Sequence, residues 1–548
     1  MMPTSKYTLS QWLVLILIVL AGFKTAANAE TYYVATDGDD RFEGTVERPF
    51  ATIQHAQQHV SPGDTVFIRG GRYIIQPFQI ALKRRIWAHV IRLDKSGSPG
   101  KRINYWAYPD EQPVFDFSNV KPAGLRVHAF SVSGSWIHLK GLEVVGVQVT
   151  IKSHTQSICF ANDGSHNLYE QLSMHDGQAI GLYSVKGSDN LFLNCDAYRN
   201  DDPVSEGGHG GNVDGFGCHP DKGSTGNVFR GCRAWFNSDD GFDCISAFES
   251  VTFENCWAFW NGYSPEFKRR ADGNGFKVGG YGSRSVNRLP VPIPRHTTRF
   301  CVAVHNKNSG FYANHHIGGS DWINNTAYAN GANFNMLSRL DDNVTDVDGY
   351  GHLLRNNLSH RSRALVTKLD RTACDVIGNS FDSDIELTAA DFLSLEESQL
   401  LGPRRPDGGL PEMAFLHLAA GNSLVDRGLD HCGAFVTNAG DAAGKTPLKI
   451  QFGADLTVPG AMLVPADQHY DPAIGYEGDP NFDATHHSSY GAYELAHCVM
   501  TGLGRAGVTL ADHRVHDVDE FDPAAPDRWT EFSVPPSPGR TNLRPLGD

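Results

Sequence analysis

A short motif recurs through the middle of the chain and constrains its fold more than any other feature. The motif alternates small or apolar residues with larger ones and ends at an asparagine. Its clearest copies occupy residues 193–200, 230–237, 254–261, 300–306 and 324–330. Alternation with a period of two predicts a strand with one buried face. Cys232 and Cys256 are 24 residues apart, as are Cys301 and Asn325. This period accommodates three short strands per turn, which is typical of a parallel β-helix.

The repeat favours stacked strands over two other repeat architectures. Helical repeats would show a period of 3.6, and the blades of a β-propeller are usually longer, at about 40 residues. We expect the asparagine that ends each copy to occupy a left-handed bend, because Asn tolerates that backbone. No CxxC spacing occurs among the ten cysteines, and four of them share one repeat position. We predict that these four stack in the interior rather than bind a metal: Cys195, Cys232, Cys256 and Cys301.

Two intervals of the repeat are longer than the others, and both carry unusual residues. The interval from Cys195 to Cys232 contains Asp214, and the interval from Cys256 to Cys301 contains Lys277. Long loops on one side of a rigid solenoid are where a functional site is usually built. The alternative is that both loops are ordinary surface insertions.

A dense group of carboxylates lies between these two intervals. Asp239, Asp240 and Asp243 fall within five residues, and Asp214 lies one or two coils upstream. Clustered carboxylates repel each other unless a cation or shared protons hold them together. Oxygen ligands suit a hard cation, so we predict a Ca²⁺ site formed by these four aspartates. Taken alone, Asp-Asp-Gly is equally typical of a simple turn.

The four aspartates and Lys277 together suit β-elimination in a uronic-acid polymer. Ca²⁺ could neutralise the substrate carboxylate at C6 and stabilise the charge that develops when the C5 proton leaves. Lys277 would take that proton, and the glycosidic oxygen at C4 would depart. A lysine base must be neutral, so Ca²⁺ and burial would have to lower its pKa, and an alkaline optimum would follow. Three basic residues downstream could bind substrate carboxylates: Arg295, His296 and Lys307.

Two other functions remain open from these residues. A polygalacturonase-type hydrolase also uses paired aspartates on a β-helix. Such hydrolases carry a Gly-His-Gly element after the aspartate pair, whereas residues 208–210 precede it here. A non-catalytic adhesin or carbohydrate-binding β-helix would explain structural Ca²⁺ but would give Lys277 no role.

The N-terminus predicts secretion. An apolar run from Trp12 to Ala21 precedes Ala27-Asn28-Ala29, a small-residue cleavage site. We predict a signal peptide over residues 1–29 rather than an uncleaved membrane anchor. The net charge of −15 argues against a nucleic-acid partner. It allows an acidic substrate where a cation or basic residues reverse the local field.

The chain divides by pattern after the signal. Residues 30–390 form the predicted β-helix domain, with a helix near 54–60 that caps its open end. Residues 391–500 form a mixed closing segment, with helices expected at 393–401 and 413–420 and an inserted loop or hairpin at 435–465. Residues 501–548 are a polar, Pro-rich tail with the composition of a disordered segment. Cys432 and Cys498 are the candidate disulfide pair.

Three segments resemble the family 9 polysaccharide lyases, which include calcium-dependent pectate lyases. These segments are residues 214–216, 238–243 and 274–277. The resemblance extends over about 31–495, including an N-terminal segment common to secreted β-helix lyases and a closing segment at 415–423 and 490–494. Residues 311–316 and 435–465 depart from the family pattern.

The resemblance implies a secreted, right-handed parallel β-helix of about ten coils that acts as a monomer on an acidic polysaccharide. It implies that Asp214, Asp239, Asp240 and Asp243 bind Ca²⁺ and that Lys277 is the base. Pectate is the expected substrate. The departures leave rhamnogalacturonan or another uronate polymer as the alternative.

Overall fold

The computed structural model describes residues 29–382, 386–419, 424, 448–452 and 456–461. The predicted signal peptide lies outside these residues except for Ala29. The polar tail at 501–548 and the Cys432–Cys498 pair also lie outside them. Among the described residues, no helix has the length and apolar composition needed to cross a membrane.

Three long sheets wrap around a common interior and form a parallel β-helix. Each coil contributes one strand to each sheet in the order sheet 1, sheet 2, sheet 3, and strands of successive coils pair in parallel. Sheet 1 has twelve strands: Thr31–Val34, Thr65–Ile68, Ile103–Ala107, Ile137–Lys140, Leu168–Glu170, Leu191–Leu193, Asn227–Arg230, Val251–Glu254, Thr297–Arg299, Asp321–Ile323, Leu353–Arg355 and Asp375–Ile377.

Sheet 2 has ten strands, which agrees with the expected number of coils. They are Gly71–Ile74, Pro113–Asp116, Glu143–Val145, Ser173–His175, Asp196–Tyr198, Arg233–Trp235, Trp257–Phe259, Val302–Val304, Thr326–Tyr328 and Leu358–His360. Sheet 3 has eleven strands, of which the first pairs antiparallel with the second. They are Leu82–Arg84, Trp87–Leu93, Arg126–Val132, Ser157–Asn162, Ala179–Ser184, Phe216–Cys218, Phe242–Asp243, Phe276–Lys277, Ser309–Tyr312, Ala332–Asn335 and Val366–Thr367.

The remaining elements are short. The α-helix Ile53–His59 lies at the N-terminal end, as predicted, and the Thr52 side chain caps it by accepting from the His55 N–H. Two antiparallel pairs join Ser338–Arg339 to Asp346–Val347 and Leu448–Phe452 to Leu456–Ala461. The second pair falls within the predicted insertion at 435–465. The 3₁₀ helices are Pro77–Gln79, Ser205–Gly207, Val286–Arg288, Ser380–Asp382, Ala389–Asp391 and Glu397–Leu401.

The interior consists of columns of identical or similar side chains, because like residues of successive coils lie in register. One column in sheet 3 stacks phenylalanine rings, with centroids 4.9 Å apart between Phe216 and Phe242 and 4.7 Å apart between Phe242 and Phe276. This column explains the recurring Gly-Phe dipeptide. The four cysteines at the shared repeat position are fully buried free thiols, as predicted.

The asparagine that ends each repeat copy does not occupy a left-handed bend, so that prediction is wrong. The residue before it does, for example Phe236 at φ 52° and Trp260 at φ 57°. The asparagine instead points inward, and its amide bonds to the next coil. Asn237 Nδ2 donates to Asn261 Oδ1 at 3.1 Å, and the ladder continues through buried amides of later coils. Each amide also satisfies backbone groups that burial would otherwise leave unpaired.

The closing segment covers the outer face of sheet 2. Leu400, Phe415 and Leu418 pack against a row that includes Trp257 and Val304. Two predicted helices are wrong there. Residues 413–419 form no helix: Phe415 and Leu418 make single bridges to residues 394 and 392, and Leu416 lies in a turn at φ 60°. The first region forms only the 3₁₀ helix Glu397–Leu401. Packing of Phe415, Leu416 and Leu418 in the apolar cluster on sheet 2 outweighs helix propensity in this segment.

Candidate active site

The outward face of sheet 3 places the predicted base beside a predicted metal ligand. Parallel register pairs Gly217 with Asp243 and Asp243 with Lys277. Each of these residues follows a member of the buried phenylalanine column. Because successive side chains of a strand point to opposite faces, they point out of the solenoid. Two motifs separated by 34 residues of sequence thus become neighbours across one strand spacing.

A second row of residues comes two positions before the same strands and consists of Asp214, Asp240 and Asn274. The backbone N–H of Asp240 donates to Asp214 Oδ1 at 3.1 Å, which ties the two aspartates of successive coils together. Asp240 Oδ1 accepts from both the backbone N–H and the side-chain amide of Asn274, at 2.7 and 2.8 Å. Asp240 is therefore held from both sides by the coils above and below it.

Three of the four predicted ligands converge. One carboxylate oxygen from each of Asp214, Asp240 and Asp243 lies within 4.8 Å of the other two, and all three residues are buried. Asp239 is also buried, but its Oδ1 accepts from the backbone N–H of Asp272 at 3.1 Å. Asp239 therefore borders the set rather than completing it.

Lys277 contacts the same carboxylates directly. Its Nζ lies 3.0 Å from Asp240 Oδ2 and 3.3 Å from Asp243 Oδ2. Burial by itself would lower the pKa of Lys277, but the surrounding aspartates, led by Asp240 and Asp243, hold that pKa well above its ordinary value. In the protein alone, Lys277 is thus a cation that offsets part of the carboxylate charge.

The single positive charge of Lys277 does not balance the negative charge of the surrounding aspartates. Burial, together with repulsion from its neighbours, raises the pKa of Asp214 and of Asp239 well above the ordinary range. Burial also raises the pKa of Asp240, against the opposing charge of Lys277. A site of buried carboxylate oxygens with an excess of negative charge fits a hard divalent cation such as Ca²⁺.

The other predicted site residues lie in different surroundings. Arg295 forms an ion pair with Asp321 at 2.6 Å, and His296 is fully buried, where its Nδ1 accepts from the Val251 N–H. Lys307 lies nearer the cluster. Its Nζ donates to the carbonyl oxygens of Arg270, at 3.0 Å, and of Ala271. It thereby anchors the loop whose next residue, Asp272, bonds to Asp239.

Sequence reasoning missed three residues around the cluster. Asn274 lies within the motif at residues 274–277, but its hydrogen bonds to Asp240 form only because the two residues belong to successive coils. Tyr183 and Tyr312 occupy the same outward row as Asp243 and Lys277. The signal that could have found them is their position directly after a column residue, Leu182 or Phe311.

The family described as Pel9A-like, right-handed beta helix region matches residues 32–357. The chain belongs to this family. The prediction of a right-handed parallel β-helix of the family 9 polysaccharide lyases is confirmed, and so is the enzyme class, a polysaccharide lyase.

Individual relatives align with most of the chain. Pectate lyase L of Dickeya chrysanthemi is 34% identical in an alignment 406 residues long, which covers 72% of this chain and 85% of that protein. Pectate lyase PEL9 of Emericella nidulans is 28% identical in an alignment 428 residues long, which covers 74% of this chain and 96% of that protein.

Two solved structures also match. A rhamnogalacturonan lyase superposes with a TM-score of 0.69 at 44% identity and covers 72% of this chain and 97% of its own. The pectate lyase Pel9A superposes with a TM-score of 0.60 at 32% identity and covers 75% and 94%. The Pel9A-like fold thus extends beyond the 32–357 region.

Proposed function

We propose that this protein cleaves a galacturonate-containing polysaccharide by β-elimination, with Lys277 as the base and Ca²⁺ held by Asp214, Asp240 and Asp243. The observation that carries the proposal is the contact of Lys277 Nζ with the buried carboxylate set on the outward face of sheet 3. Asp239 stays a predicted further ligand at the border of this set.

Bound Ca²⁺ would supply the positive charge that neutralises the substrate carboxylate and offsets the excess charge of the aspartates. In its neutral form, which it reaches by releasing its ammonium proton to solvent, Lys277 takes the C5 proton at Nζ. The electron pair of the broken C5–H bond forms the C4–C5 double bond, and the C4–O bond breaks. The departing oxygen leaves with its bonding pair and is then protonated. Asp240 and Asp243 orient Nζ for this transfer, and Asn274 keeps Asp240 in place.

The surrounding basic residues have separate roles in this proposal. Lys307 supports the loop beside Asp239, half-buried at the edge of the site. Arg295 and His296 are left out, because the first is paired with Asp321 and the second is buried. Secretion through residues 1–29 and a monomeric state remain predictions.

A polysaccharide panel tests the proposal. Polygalacturonate, methylated pectin, rhamnogalacturonan and alginate would each be incubated with Ca²⁺, and the ultraviolet absorbance of an unsaturated uronate product followed. Absorbance should rise with a galacturonate polymer and should be lost with a chelator. Cleavage that yields new reducing ends without absorbance would show hydrolysis and overturn the proposal.

A rhamnogalacturonan backbone is the second candidate substrate, alongside polygalacturonate. The rhamnogalacturonan lyase is more similar to this chain than Pel9A is, at 44% against 32% identity. Mass spectrometry of the products separates the two candidates. Unsaturated products that contain rhamnose would support the second, whereas unsaturated oligogalacturonates would support pectate.

A further inference from the structure

Two tyrosines bracket the proposed catalytic pair on the outward face of sheet 3. Parallel register sets Tyr183 opposite Gly217 and Lys277 opposite Tyr312. The full row therefore runs Tyr183, Gly217, Asp243, Lys277 and Tyr312 across five successive strands. The residue before each tyrosine, Leu182 or Phe311, is fully buried in the interior column, so both tyrosine side chains point outward.

The tyrosine on the upstream side reaches toward the acidic cluster because the next residue of the row is glycine. A Cβ on Gly217 would lie 2.5 Å from Cδ2 and 2.8 Å from Cε2 of the Tyr183 ring. The ring therefore covers the space above Gly217 and borders the position of Asp243. His219 supports the ring from the same strand region, with centroids 4.8 Å apart.

The tyrosine on the downstream side is the direct neighbour of the base. Tyr312 is half-buried, as is Tyr183, so both residues remain partly accessible. The distance along the row from Gly217 to Tyr312 is three strand spacings of about 4.8 Å, or about 14 Å. This span is comparable with three consecutive pyranose rings, one over the Asp243–Lys277 pair and one on each side.

We propose that Tyr183 and Tyr312 bind the sugar residues on either side of the reacting uronate, and that Gly217 is required for Tyr183 to reach its sugar. This inference rests on the proposed function, in that the ligand is the same acidic polysaccharide. The rings would stack on the apolar faces of the sugars, since Tyr combines an apolar body with a polar tip. The tyrosines thus set which sugars are accepted next to the cleaved bond.

The first test measures kinetics on oligosaccharides of increasing length from the best substrate of the panel. Tyr183→Ala and Tyr312→Ala should each raise KM for long substrates about tenfold, with a smaller effect on kcat. In both variants, kcat/KM should increase less than in the wild type as sugars are added to the substrate. Tyr312→Phe should retain most of the affinity, because the ring face remains. Gly217→Ala should reproduce the loss caused by Tyr183→Ala.

Tyr198→Ala is the matched control. Tyr198 is a half-buried tyrosine of sheet 2, stacked between His175 and Trp235 at 4.3 and 4.2 Å. Its loss should lower the Tm without changing the dependence on substrate length. Wild-type KM and length dependence in both Tyr183→Ala and Tyr312→Ala would overturn the inference.

Binding without turnover separates this inference from the proposed function. Calorimetry would measure a trigalacturonate and a rhamnogalacturonan oligosaccharide binding to Lys277→Met and to the same variant with Tyr312→Ala or Tyr312→Phe. Weaker binding in the Ala variant and near-parent binding in the Phe variant support the sugar contact even if the wild type cleaves nothing. Equal binding in all three variants contradicts it even if the wild type is an active lyase.

Discussion

Lys277 Nζ lies 3.0 Å from Asp240 Oδ2, so the proposed base is paired with a proposed metal ligand. The contact orients Nζ, but it also favours the protonated form of the amine. A base in this position can act only when other positive charge compensates the aspartates.

Replacement of Lys277 tests the base. Lys277→Met keeps the apolar stem and removes the amine, so kcat should fall by about 10²–10⁴-fold, the usual contribution of general base catalysis. Circular dichroism should remain that of the wild type. Lys222→Met, at an exposed position, is the control and should leave kcat unchanged. Full activity of Lys277→Met in the absorbance assay would rule out the mechanism.

Replacement of Asp240 tests the metal site. Asp240→Asn retains an oxygen for Asn274 but removes one charge from the carboxylate set. We expect the Ca²⁺ concentration that gives half-maximal activity to rise by about tenfold or more, since ligand charge tunes Ca²⁺ affinity. Calorimetric titration of metal-free protein with Ca²⁺ measures the same change. Asp110→Asn, at an exposed position, should bind Ca²⁺ as the wild type does, and an equal affinity in Asp240→Asn would exclude that residue as a ligand.

The stabilisation by Ca²⁺ should increase with pH. The pKa values of Asp214, Asp239 and Asp240 are raised in the folded protein, chiefly by burial. Their contribution to the stability of the metal-free protein is therefore fully present below the unfolded Asp pKa of about 4 and is lost as the pH rises through their raised values. Ca²⁺ replaces these protons, so its effect on Tm should grow from about pH 4 upward.

The measurement compares Tm with and without Ca²⁺ across the pH range, because the difference cancels contributions from other titrating groups. The increase should be smaller in Asp240→Asn, which has one proton-binding carboxyl fewer. A Ca²⁺-induced Tm shift that is constant with pH would contradict the prediction.

A buried ion-pair network should control the stability of the closing segment. Asp196 on sheet 2 pairs with Arg233 at 2.8 Å and with Arg404 at 2.7 Å, and all three side chains are nearly inaccessible. Asp196→Ala leaves two buried guanidinium groups without their carboxylate, so the free energy of unfolding should fall by about 3–5 kcal/mol. Urea unfolding measures this loss.

The exposed pair Arg41–Asp39 supplies the control for this effect. Asp39→Ala should change the free energy of unfolding far less than Asp196→Ala, because surface pairs are weak. If Asp196→Ala costs no more than Asp39→Ala, the network does not fasten residues 400–404 to sheet 2.

Much of the fold and of the site could be predicted because a solenoid repeats the same local environment. A 24-residue period with inward phenylalanines and cysteines leaves few other ways to bury those side chains. The same register places Asp214, Asp243 and Lys277 on neighbouring coils. The identity of the site residues therefore followed from short motifs at matching repeat positions.

The remaining features depend on contacts that no local pattern encodes. Asp239 has the same chemistry as Asp240, yet its carboxylate turns to the backbone of the 262–273 loop. His296 lies in a basic stretch of sequence but is buried under the next coil. Residues 413–419 have a helix-like composition but form no helix, because sheet 2 offers an apolar surface on which Phe415, Leu416 and Leu418 are buried.

The sequence by itself determined the stacked β-helix and the set of aspartates and lysine that form the candidate site, since periodicity and residue type are properties of the chain alone. Only the tertiary structure decided which three carboxylates meet, that Lys277 touches two of them, and that Tyr183 and Tyr312 flank the pair. The physical reason is that these contacts join different coils, where side-chain direction, burial and loop hydrogen bonds together select one arrangement.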